Sequence, residues 1–229
     1  DNLNHEYGTT LVMAGKSKEA RDAFTAMLSG TPENQAMGHR SLGMLDELEG
    51  RFEDAIGHFR QAAVLSQPRQ HPLSEARNRV FLAMALRDKG RADSAREELG
   101  TAYALFRKNY FEPTFVWWLG KALVANGQVA RARELLDSLT RRVSDSEARR
   151  SQLSLQGEIA RAEGRVPAAM SALQTAYATD SSLMVQETLA RGLAASGDLA
   201  GAAREYESLL ANRSSWFGWE AQIYAQLIG

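Results

Sequence analysis

Apolar residues along this chain recur at three- and four-residue steps, and the runs are broken by glycine at near-regular intervals. Around Gly120, the residues Val116, Leu119 and Leu123 fall on one face of a helix. Gly127 stands seven residues beyond Gly120, Ala132 five further and Leu136 four further. The same 7-5-4 spacing recurs as Gly8, Gly15, Ala20, Phe24; as Gly43, Gly50, Ala55, Phe59; and as Ala83, Gly90, Ala95, Leu99. It continues as Gly157, Gly164, Ala169, Leu173 and as Ala190, Gly197, Ala202, Tyr206. The step between copies varies (35, 40, 37, 37 and 33 residues) while the spacing within a copy is constant. Variable linkers joining a fixed unit are the mark of a repeat array.

Each landmark has a physical task in a helix-turn-helix unit. A Gly or Ala at the first position lets a paired helix approach closely. The second Gly, as in Glu49-Gly50 or Asn126-Gly127, falls where the first helix must stop and turn, a left-handed position that only Gly takes without a side-chain clash. The third, a small Ala, faces the first helix from the second, and the bulky fourth residue fills the space between successive units. Pro32 and Pro68 follow second helices and Pro113 suits a helix start. The longest spacer, Ser66 to Pro72, is expected to be an extended loop. No alternating run bounded by hairpin turns is present, so the expected class is all-α.

These landmarks resemble the tetratricopeptide repeat, with its W-x2-L-G-x2-Y, A-x3-F and P signature over about 34 residues. Leu42-Gly43 and Leu119-Gly120 carry the Leu-Gly step intact; Tyr7-Gly8, Leu82-Ala83, Gln156-Gly157 and Leu189-Ala190 carry it relaxed. Ala20 to Phe24 and Ala55 to Phe59 carry A-x3-F. The resemblance implies a right-handed α-α superhelix of antiparallel helix pairs, one solenoid domain over residues 1–229. The repeats are placed at about 1–33, 36–68, 76–108, 113–145, 150–181 and 183–213, with an extra helix at 215–229. That last segment carries Trp216, Phe217 and Trp219 and ends on Ile228-Gly229, as if a seventh repeat were beginning, so further native chain is expected beyond it. The tail also resembles, weakly, repeat arrays at the C-termini of bacterial signalling proteins such as kinases and transcription regulators.

Composition narrows the function classes. Twenty-seven basic and twenty-eight acidic residues give a formal charge of -1 with no block of like charge. Nucleic acid is therefore not an expected partner, since its binders carry a basic stripe and a pI above about 9. No run approaches 18 apolar residues, so no membrane insertion is expected. The absence of cysteine removes disulfides and thiolate metal sites and fits either redox compartment; the cytoplasm is slightly favoured, with an extracytoplasmic location left open.

Candidate chemistry is sparse. Gly120-Lys121 looks like the end of a phosphate loop, but Phe115 and Ala122 occupy the places where that motif needs Gly and Ser or Thr. His5, His39, His58 and His71 show no HExxH motif and no i+4 pairing, so no metal site is expected. No serine sits in a nucleophile motif such as GxSxG, and Asn212-Arg213-Ser214 matches a glycosylation acceptor that matters only in a secreting eukaryotic setting. The chain is expected to be neither an enzyme nor a cofactor binder.

In the family it resembles, the first helix of each unit lines a concave groove. Reading those positions off this sequence gives Met37, Arg40 and Met44; Arg77, Val80, Met84 and Arg87; Trp117, Lys121 and Val124; Glu158 and Arg161; and Glu187 and Arg191. Methionine and tryptophan offer adaptable apolar contact, and arginine grips a carboxylate through two N–H groups, which suits a peptide with apolar and acidic residues. The Lys and Asn pair with which chaperone-tail adaptors of this fold hold a terminal carboxylate is absent: His5 with Thr9, Arg40 with Met44 and Val80 with Met84 stand in its place. The expected function is a non-catalytic scaffold that captures a protein or peptide segment. The alternatives are a C-terminal regulatory or sensor region of a larger bacterial signalling protein, and self-association through Trp216, Phe217 and Trp219.

Overall fold

The computed structural model describes residues 2–67, 72–141, 146–179 and 182–211. The extra helix placed at 215–229, its aromatic residues Trp216, Phe217 and Trp219, the glycosylation-type triplet and Pro68 lie outside the described residues. Among the described residues there are twelve α-helices and no strand. They are α1 Asn2–Met13, α2 Ser17–Ala26, α3 Pro32–Leu48, α4 Phe52–Ser66, α5 Pro72–Asp88, α6 Ala92–Lys108, α7 Pro113–Ala125, α8 Val129–Thr140, α9 Ser146–Ala162, α10 Val166–Thr179, α11 Leu183–Ser196 and α12 Leu199–Ala211. A 3₁₀ turn, Met27–Ser29, extends α2. The class is an all-α helical solenoid.

The turn within each pair is set by the second landmark glycine. Gly15, Gly50, Gly90, Gly127, Gly164 and Gly197 all take φ between 73° and 88°. At Gly50 the termination is a Schellman motif: Arg51 N–H donates to the Asp46 carbonyl at 2.7 Å and Gly50 N–H to the Glu47 carbonyl at 3.0 Å. The same pair of bonds closes α5, α7 and α9. Helix starts use other devices. Pro32 and Pro113 stand in the first turns of α3 and α7, and the Thr31 hydroxyl accepts the Asn34 N–H. Pro32 thus opens a helix besides following one.

The first landmark makes room for the fourth. A Cβ at Gly8 would collide with the Phe24 ring, one at Gly43 would lie 2.6 Å from the Phe59 ring, and one at Gly157 would collide with Leu173. All six landmark alanines (Ala20, Ala55, Ala95, Ala132, Ala169, Ala202) are buried. The fourth landmark holds at Phe24, Phe59, Leu99 and Leu173 but not at Leu136 or Tyr206, which are only half-buried. In α8 the buried residues are instead Leu135 and Leu139, and Gly120 receives Leu155 of α9, whose Cδ1 would lie 2.7 Å from an added Cβ. The space at Gly120 is thus filled from the following pair, where those at Gly8, Gly43 and Gly157 are filled from their own.

The described helices fall into two units, α1 to α6 up to Asn109 and α7 to α12 over Tyr110–Ala211. In the first, Phe59 and Phe81 stack with ring centroids 5.2 Å apart, joining α4 to α5. In the second, Phe111 meets Phe115 edge-on and Phe115 lies 6.0 Å from Trp118, so Trp118 belongs to an aromatic core at the start of α7.

Candidate functional site

In the first unit the first helices α3 and α5 enclose, with the end of α4, a cavity of about 380 Å³. Met37 and Arg40 reach it from α3, Arg77 from α5, and Leu65 from α4. Its position follows from one buried side chain. Asn78 is fully buried, and its Nδ2 donates to the Ala62 carbonyl at 3.1 Å and to Ser66 Oγ at 2.9 Å, both in the last turns of α4. Its remaining oxygen, Oδ1, accepts from Arg40 Nη1 at 3.2 Å. Asn78 thereby ties three helices together and fixes the guanidinium at the cavity wall. Burial, with Arg77's charge adding to it, pulls Arg40 down to about 10. Glu33 is also on the wall, so the lining carries two guanidiniums and one carboxylate beside Met37 and Leu65.

In the second unit the first helices α7, α9 and α11 meet in a buried charge network. Lys121 Nζ donates to Glu187 Oε2 across three helices, and both side chains are almost wholly buried. Arg161 donates to Glu158 Oε2 at 2.7 Å, and Arg191 lies 3.9 Å from Glu158 and 3.6 Å from Glu187. Burial alone would raise the Glu158 carboxyl; Arg191, Arg161 and Lys121 outweigh it and hold it below the usual carboxylate range. Glu158 in turn raises Arg191. Next to this network lies a smaller cavity of about 140 Å³, lined by Trp117, Ser154, Ser182 and Met184 among others.

A third cluster lies where α2, α3 and α4 meet. Asp46, buried, accepts from Arg21 at 2.8 Å and from Arg51 at 2.6 Å. His39 and His58 face each other through Nδ1 atoms 2.9 Å apart, a hydrogen bond that needs one proton between two rings. Burial, then the neighbouring His39 and Arg21, lowers His58 to about 4. Burial pushes Asp46 up to about 6, with Arg21 pulling the other way. Among the described residues no group of three or more His, Asp or Glu is placed to hold a metal ion.

Two tetratricopeptide repeat models match the chain, one over residues 81–147 and 119–183 and the other over residues 183–208, together more than half of it. The chain belongs to the tetratricopeptide repeat family. Tetratricopeptide repeats are protein-interaction scaffolds, typically non-catalytic, and this membership implies protein partners. Among solved structures the chain is similar to the nearly identical TPR-like repeats of Podosopora anserina, at 25% identity and TM-score 0.52 over 81% of this chain and 97% of that one. It is also similar to the APC/C hetero-tetramer Cut9-Hcn1, at 20% identity and TM-score 0.56 over 88% of this chain and 38% of that one. A tetratricopeptide repeat protein from Parabacteroides merdae matches at 15% identity and TM-score 0.53 over 92% of this chain and 79% of that one. The last two likenesses concern the fold alone. No curated protein matches the sequence. Among the described residues no helix is long and apolar enough to cross a membrane.

Placed on this tetratricopeptide frame, the residues expected along the groove separate into three sets. Met37, Arg40 and Arg77 converge on the larger cavity. Lys121, Arg161 and Arg191 lie together but are engaged by Glu158 and Glu187, so their charge is largely spent inside the protein. In the third set Met44 and Met84 are 2% and 5% exposed and belong to the core, while Arg87 is half-buried and pairs at the surface with its neighbour Asp88 at 2.7 Å. Trp117, read as one of the groove positions, is 4% exposed, because α9 and α11 close over it. Sequence reasoning missed Asn78, whose type and position in α5 give no signal of its three bonds. It also missed the His39 and His58 pair, since 19 residues separate partners that meet across a helix pair.

Proposed function

We propose that this chain is a non-catalytic scaffold that holds a protein segment along the first helices of its repeats, with the α3–α5 cavity as the main anchor. Family membership supports the scaffold; what supports the anchor is the convergence of Met37, Arg40 and Arg77 from two successive first helices on one cavity of about 380 Å³. A large apolar side chain fits against Met37 and Leu65, and an adjacent acidic side chain meets Arg77 and Arg40, relieving the repulsion between two guanidiniums. The cations of the second unit's buried network, Lys121, Arg161 and Arg191, are engaged by Glu158 and Glu187 and add little to this anchor.

Panning a random peptide library against the chain tests this. Enriched peptides should place an acidic residue next to Leu, Met or Phe, and Arg77→Glu should weaken them at least about tenfold, or about 1.4 kcal/mol, with an unchanged thermal midpoint. Peptides that bind Arg77→Glu as well as wild type would remove the anchor from the account.

A further inference from the structure

The cavity between α7, α9 and α11 has a donor-rich wall. Trp117 and Ser154 both line it, both are more than nine-tenths buried, and Trp117 Nε1 and Ser154 Oγ have no hydrogen-bond partner. An indole N–H can only donate, and a buried donor left unpaired is costly. Ser151 adds a hydroxyl and Arg150 a guanidinium to the same wall, while Met184 and Val185 supply an apolar side. The space, about 140 Å³, has room for roughly four or five waters or for a carboxylate on a short aliphatic stem.

The surroundings select the charge of the occupant. Among the described lining residues Arg150 alone is charged, and one to two turns further along the same three helices Lys121, Arg161 and Arg191 are paired with Glu158 and Glu187. At the other end of the wall, Glu147 already accepts the Thr114 N–H and hydroxyl at 3.1 and 2.6 Å. We propose that this cavity binds a carboxylate, received by the Trp117 indole N–H and the Ser154 hydroxyl with its stem against Met184 and Val185. The site uses other residues than the α3–α5 anchor, and its occupancy is independent of whether that anchor holds a partner. The carboxylate is either a free small acid or an acidic side chain of a bound protein.

The four tryptophans give four indole N–H signals in a ¹⁵N-labelled sample, and Trp117→Phe identifies the one that matters. Sodium acetate is titrated against sodium chloride at equal ionic strength, followed by glutamate capped at both backbone ends. The Trp117 signal should move downfield and saturate with acetate but not with chloride, and Ser154→Ala, with unchanged circular dichroism, should weaken acetate about tenfold. Saturation by capped glutamate as well assigns the site to a partner's side chain; saturation by acetate alone assigns it to a free acid. A Trp117 signal that stays still in acetate, or follows chloride equally, overturns the proposal without touching the anchor at Arg77.

Discussion

Lys121 in α7 and Glu187 in α11 form a buried ion pair between helices that stand two repeats apart in sequence. The pair passes over α9, whose own Glu158 is gripped by Arg161 and faced by Arg191. Charges that would otherwise line a binding groove are here internal fasteners. Removing one partner leaves an uncompensated charge in a dry site, whereas removing both leaves only a packing defect.

Lys121→Met should therefore destabilise the chain by about 3 kcal/mol, at the low end for a broken buried pair because Arg191 still faces Glu187. The double variant Lys121→Met, Glu187→Leu should recover much of that loss. Urea midpoints of the two singles and the double make the cycle, and additive losses would show that the two side chains do not interact.

Glycines at the two landmark positions should fail for different reasons. Gly50 has φ 74° and open space where a Cβ would stand, so Gly50→Ala should cost about 1–2 kcal/mol through the backbone, and Gly50→Asn less. At Gly157, in contrast, an added Cβ meets Leu173 inside the pair, so Gly157→Ala should cost about 1–3 kcal/mol through packing. Leu173→Ala in the same chain should rescue Gly157→Ala in part and leave the Gly50→Ala loss unchanged, as read from denaturant midpoints.

Ala132→Leu should overpack the pair of α7 and α8 by about 1–3 kcal/mol, since Ala132 is fully buried where the two helices meet. The change is read as a lower thermal midpoint, and an unchanged midpoint would mean that this alanine does not face its partner helix.

The His39 and His58 pair should make stability depend on pH. The folded value of His58, about 4, lies below its unfolded value of about 6.5, so the unfolded chain binds more protons between them. The contribution of His58 is present above about pH 6.5 and is lost as pH falls towards 4. Asp46, raised to about 6, has the opposite sign: it favours the folded state progressively as pH falls from about 6 towards its unfolded range. His58→Gln should thus reduce the drop in thermal midpoint between pH 7 and pH 5. A variant whose midpoint falls as much as wild type would place the acid sensitivity elsewhere.

Much of the fold is legible in the sequence because its turns leave so little choice. A helix that must end in a left-handed residue and turn within three residues selects Gly at one place, and Gly15, Gly50, Gly90, Gly127, Gly164 and Gly197 are that place. The fourth landmark is less legible, since a bulky residue can be buried from a neighbouring helical position, as Leu135 and Leu139 are in place of Leu136. The binding face is the least legible. Helical position says that Arg40, Lys121 and Arg191 share a side of their helices, but their partners Asn78, Glu187 and Glu158 come from other repeats. The burial of Trp117 depends likewise on how α9 and α11 close over α7, which no pattern within α7 records.

The central claim is that a partner segment is held at the α3–α5 cavity, and the seven methionines offer a direct probe of it. With methyl-labelled methionine, a library-selected acidic-apolar peptide should move the Met37 methyl signal most, and Arg77→Glu should abolish the movement. Met13, exposed on α1 and outside the cavity, should stay where it is. Saturating peptide that moves Met13 and leaves Met37 still would contradict the account.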